Sequence, residues 1–122
     1  MIKKYELNKG CKNERDFNSW YLKQLRGDWY WAYKISDAEA LSLKPFDSFV
    51  VHPNWRAIAI EFKMINCYKS NIRSSLRPHQ RAHLREFNWD SYVIVFNRKM
   101  WDYRIYRFEE VSDEQTLIFN KK

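Results

Sequence analysis

Apolar residues recur along this chain in different rhythms, and each rhythm predicts an element. Phe17, Trp20, Tyr21 and Leu25 fall at helical spacing, with Asn13 in place to cap the start and Gly27 to end the run. A first helix over roughly 13 to 26 is expected. The runs Tyr30 to Ile35 and Phe46 to Val51 are aromatic and β-branched, which suits strands, with Asp37 to Pro45 connecting them. From Ala57 to Met64 the chain alternates: Ile58, Ile60, Phe62 and Met64 point one way, and Ala57, Ala59, Glu61 and Lys63 the other. His52-Pro53-Asn54-Trp55-Arg56 is short enough to be a hairpin loop with Asn54 near its tip, so the strands on either side should pair antiparallel. Pro78 suits the first turn of a second helix that runs to about Phe87. Tyr92 to Phe96 is continuously apolar, as in a strand covered on both faces, and Trp101 to Phe108 supplies a last strand after a turn at Asn97 to Met100. Ser112 with Gln115 makes a capping box for a short C-terminal helix. The order is α, β, β, β, α, β, β, an α/β pattern without internal repeats.

Composition narrows the class. With 122 residues, 45% of them hydrophobic, and only two glycines and three prolines, the chain suits a single globular domain over 1–122 and excludes a disordered or collagen-like protein. No stretch approaches the roughly 18 apolar residues needed to span a bilayer, and Met1 to Asn8 lacks the apolar run of a signal peptide. An intracellular protein without membrane association is expected. Cys11 and Cys67 have neither disulfide-framework nor zinc-site spacing. Lys and Arg outnumber Asp and Glu by 22 to 15, a net charge of +7 that makes nucleic acid the leading partner.

The alternating strand carries the chemistry. In an antiparallel hairpin, opposed residues have a constant sum of numbers, and a tip at Asn54 sets that sum to about 108, so Asp47 should face Glu61. Opposed residues project from one face with Cβ atoms about 5 Å apart, where two like charges repel. A divalent cation between the carboxylates removes the repulsion, and hard oxygen ligands select Mg²⁺, with Mn²⁺ as a substitute. Lys63, two residues beyond Glu61, belongs to the same face. A solvent-facing polar hairpin with a Glu-Lys neighbour pair would carry the same letters, so the tripeptide alone decides little. Gln80 shares a helical face with Leu84 and Phe87, which would bury its amide against the sheet.

Pro45-Phe46-Asp47, then Ile58-Ala59-Ile60-Glu61-Phe62-Lys63, then Gln80 in the following helix, resembles the PD-(D/E)XK nucleases, most closely the compact archaeal and phage Holliday-junction resolvases. The resemblance runs from Glu14 to Phe96 and has one departure: the family's proline directly precedes its aspartate, whereas Phe46 intervenes here. It implies a restriction-endonuclease-like core, with a mixed central sheet of about five strands flanked by helices. It also implies a site in which Asp47 and Glu61 bind magnesium, Lys63 positions or activates the attacking water, and Gln80 and the first-helix acid Glu14 contribute. Asp37 is a rival acid in a loop. His79 and His83 have a spacing able to hold zinc, but no third ligand stands nearby.

The implied reaction is metal-dependent hydrolysis of DNA phosphodiesters. Lys12, Lys69, Arg73, Arg77 and Arg81 are candidates for backbone phosphates. Without an added recognition domain, cleavage selective for branched DNA is expected over sequence-specific restriction. A four-way junction needs two symmetric nicks, and 22 aromatic residues exceed what a small core readily hides, so a homodimer is expected. The alternatives are a general or nicking nuclease of the same superfamily and a non-catalytic basic nucleic-acid-binding module.

Overall fold

The computed structural model describes residues 2–8, 10–35, 46–54, 56–66, 69–71, 78–86, 90–111 and 116–118. Helix α1 spans Glu14–Gly27, and strands β1, β2 and β3 span Trp31–Lys34, Ser48–Val51 and Ala57–Ile65. After β4 (Lys69–Asn71) come helix α2 (Pro78–Glu86), strands β5 (Ser91–Asn97) and β6 (Asp102–Arg107), a one-turn helix α3 (Phe108–Val111) and β7 (Thr116–Ile118). Asn13 caps α1 as its letter predicts, its side chain accepting from the Asp16 amide at 2.8 Å.

Five strands form one sheet in the order β1-β2-β3-β5-β6. The β3–β5 pair is parallel and its neighbours antiparallel, so the sheet is mixed, as expected. The β2–β3 register pairs Ser48 with Ile60 and Val51 with Ala57, which is the sum of 108 set by the turn at Asn54. That turn is closed by His52 N–H donating to Arg56 O at 2.8 Å and by Asn54 Oδ1 accepting from Arg56 N at 3.1 Å. Pairing between β3 and β5 is allowed because the intervening chain, α2 included, provides the long crossover that parallel strands require.

Each face of the sheet has its own apolar cluster. On one, Phe17, Tyr21, Leu22 and Leu25 of α1 pack on Ile58, Ile60, Phe62, Ile94 and Phe96. On the other, Leu84 of α2 and Phe108 of α3 pack on Ala59, Val93 and Val95. Most of the described rings belong to the first cluster, where Phe17 contacts Trp20, Tyr21, Phe62, Phe96 and Tyr103. Among the described residues the aromatic excess is therefore mainly core.

The C-terminal segment departs from expectation. Ser112 and Gln115 lie outside the described residues, but Thr116–Ile118 is a strand, not part of a helix, and pairs antiparallel with β4 in a second, two-stranded sheet. Two β-branched residues in a three-residue run favour the extended form once a partner strand is available. No helix among the described residues is long and apolar enough to cross a membrane.

Candidate active site

Beyond Ile60, β3 outruns its neighbour. The β2 ladder starts at Ser48, so from Glu61 onward the β2-side edge of β3 has no strand partner among the described residues. Odd-numbered amides of β3 point toward β5, as Ala59 N–H does in donating to Asp90 O at 2.9 Å, and even-numbered ones point toward β2. Two acids take over where the strand stops. Asp47, the residue before β2, accepts from Phe62 N–H through Oδ2 at 2.8 Å, and Glu14, in the first turn of α1, accepts from Met64 N–H through Oε2 at 3.1 Å. The sequence pattern places both acids near the site but gives no hint of this edge-capping role, which exists because β2 is shorter than β3.

The side chains of Glu61 and Lys63 stand on the α2 face of β3, beside Val93 and Val95 of β5. Glu61 is 1% exposed. Its Oε2 accepts from Gln80 Nε2 at 3.0 Å and lies 3.4 Å from Lys63 Nζ. Gln80 reaches it because Gln80 and Leu84, one turn apart on α2, are both buried against the sheet. Gln80 and Lys63 thus both meet Glu61 Oε2, and Asp47 stands one residue before the first β2 partner of Ile60.

Glu61 Oε1 is buried and has no hydrogen-bond donor. The Asp47 carboxyl lies within hydrogen-bonding reach of the Glu61 carboxyl, and two carboxylates bond to one another only through a proton. Burial first, and then the charge of Asp47, push the Glu61 carboxyl up to about 9, with Lys63 opposing the shift. Without a cation, burial and the Asp47 charge therefore favour a proton on Glu61. A buried pair of carboxyls with one orphaned oxygen fits a small hard cation, which would displace that proton.

The other expected residues are placed unevenly. Among the described residues no three acids, histidines or cysteines gather tightly enough to hold a metal, and Glu14, expected as a third ligand beside Asp47 and Glu61, stands at the β3 edge on the Met64 amide. Lys12 is exposed just before α1. Lys69 lies on β4 and Arg81, His79 and His83 on α2 by their backbones. Asp37, Pro45, Cys67, Arg73, Arg77 and Phe87 lie outside the described residues.

The sequence matches no protein-family model and no curated protein. The fold does have a counterpart. The chain superposes on Hjc, a Holliday junction resolvase from the archaeal hyperthermophile Archaeoglobus fulgidus, with a TM-score of 0.55 over 76% of this chain and 74% of that one, at 19% identity. The likeness is one of fold, and it is the fold that the PD-(D/E)XK resemblance implied.

Proposed function

We propose that this chain is a metal-dependent DNA endonuclease of the PD-(D/E)XK type that favours four-way junctions. The observation that carries the reading is the buried pair Asp47 and Glu61, with Glu61 Oε1 unsatisfied and Lys63 beside it, on a fold like that of a junction resolvase. Asp47 and Glu61 would hold Mg²⁺, or Mn²⁺ in its place, which supplies charge neutralisation and a more acidic water. Gln80 fixes the Glu61 carboxylate by donating to Oε2, and Oε1, without a partner, would be free to ligate a cation. Lys63, whose side chain is 18% exposed, keeps its ammonium at the edge of the site, where it positions the attacking water and offsets charge growing on the phosphate. Lys12, Lys69, Arg73, Arg77 and Arg81 are the proposed contacts to backbone phosphates. Two copies related by a two-fold axis would place two such sites on opposing strands of a junction within the cell.

The test is cleavage of a four-way junction, a flap, a linear duplex and a single strand of one sequence in Mg²⁺, together with light scattering for mass. A dimer that nicks the junction in preference to the others is expected. A monomer that cuts all four alike would make it a general nuclease with the same site. DNA binding without cutting in either metal would leave only a binding module.

A further inference from the structure

Trp29, Trp31 and Tyr33 remain 86%, 55% and 43% exposed, the large apolar side chains left at the surface among the described residues. They occupy alternate positions in Trp29-Tyr30-Trp31-Ala32-Tyr33, and the intervening Tyr30 and Ala32 are buried in the α1 cluster. The outward direction of Trp31 and Tyr33 is therefore fixed by the pleat of an edge strand, β1, while Trp29 sits in the turn just before it. Trp31 and Tyr33 lie almost parallel, with centroids 6.1 Å apart and planes 14° apart, and Phe49 of β2 meets Trp31 edge-on at 6.1 Å. Trp29 adopts φ 70°, a left-handed conformation that L-residues enter only against a steric cost, and presents its indole outward.

The register connects this surface to the candidate active site. Tyr33 pairs with Phe49, Phe49 with Ala59, and Glu61 and Lys63 follow at the next alternate positions of β3. Rings and carboxylates thus share one face of the sheet. We propose that Trp31 and Tyr33, with Trp29 beside them, form a stacking platform for unpaired nucleobases, which holds a single-stranded segment on the side of the sheet where the carboxylates act. The choice of nucleic acid as ligand rests on the nuclease reading; the exposure and order of the rings do not. A second copy of the chain fits less well: even wholly exposed, three rings at roughly 200 Å² each would offer about 600 Å², and Trp31 and Tyr33 are about half covered already, against the roughly 800 Å² per partner of a stable interface. Base stacking needs only ring faces, and the net charge of +7 favours the strand's backbone.

The experiment uses short single-stranded oligonucleotides carrying 2-aminopurine, with the same strand in a duplex for comparison, in the absence of divalent cations. Stacking quenches the probe in the single strand. Trp31→Ala with Tyr33→Ala should weaken single-strand binding at least tenfold and remove the quenching, each ring accounting for about five- to hundredfold. Trp31→Phe with Tyr33→Phe should restore both, since a phenyl ring still stacks. Unchanged single-strand binding in the double alanine variant would overturn the platform. So would light scattering in which that variant turns a dimer into a monomer, because the rings would then be an interface between copies. Quenching by a chain that never cuts DNA in Mg²⁺ or Mn²⁺ would support the platform and end the nuclease reading, so the two fail separately.

Discussion

Asp47 Oδ2 accepts from the Phe62 amide at 2.8 Å, so the carboxylate that faces Glu61 also closes the strand edge on which Glu61 is carried. Structural and chemical roles of Asp47 can be separated by substitution. Asp47→Asn keeps an oxygen for the Phe62 amide and should abolish cleavage with little change in Tm. Asp47→Ala leaves that amide without its partner and should cost about 1–3 kcal/mol of stability as well. DNA binding should persist or strengthen in both, because a phosphate-repelling charge is gone. Cleavage assays beside thermal melts and gel shifts check the three expectations, and cutting by either variant would sink the site assignment.

Glu61 gives a pH dependence whose sign is unusual for an acid. Its folded value, about 9, lies above the ordinary carboxyl value of 4.5, so the folded state retains a proton that the unfolded chain gives up. In the absence of cations, the stability this confers is complete below about pH 4.5 and is lost progressively as pH rises to about 9. Glu61→Gln should flatten that slope. Mg²⁺ should raise the Tm of the wild-type chain near pH 8 and leave that of Glu61→Gln unchanged. Melting curves across pH, with and without metal, provide the check.

Lys63→Ala should stop the chemistry, by about 10²-fold or more in kcat, while cation affinity and DNA affinity change little. Single-turnover cleavage and calorimetric metal titration separate the cases. Weaker DNA binding at normal single-turnover rate would make Lys63 a phosphate contact instead.

Glu14→Gln retains an oxygen for the Met64 amide and removes only charge. Cleavage should fall by a smaller factor than in Asp47→Asn, since Glu14 sits one amide further along the β3 edge. An equal loss in both variants would mean that Glu14 ligates the cation directly.

DNA affinity should drop steeply with salt, each neutralised phosphate adding about −0.9 to the slope of log K against log salt. Arg73→Ala, Arg77→Ala or Arg81→Ala should each reduce the slope without moving the cut. A flat salt response would argue against a basic docking face.

Much of this arrangement was legible in the letters because it depends on short-range rules. Asn54 sets the hairpin register, the register opposes Asp47 to Glu61, and the two-residue strand period brings in Lys63. Gln80 was legible through its helical spacing to Leu84. Long-range events were not. Pairing of Thr116–Ile118 with Lys69–Asn71 joins segments far apart in sequence, and no local propensity announces it. The edge-capping by Asp47 and Glu14 depends on the difference in length between two strands, and the outward Trp31 and Tyr33 on β1 being last in the sheet order.

β3 is the wall shared by both apolar clusters: Phe62 belongs to one, Ala59 to the other, and Glu61 stands between them in sequence. A strand clamped on both sides has no way to open by itself, because releasing it would dismantle both cores at once. Exchange of the Phe62 amide with solvent deuterium should therefore proceed only through whole-molecule opening, while amides of the peripheral β1 exchange through small local fluctuations. The carboxylate pair would keep its geometry for as long as the molecule is folded, and recognition at the rim could loosen and reform many times within that lifetime.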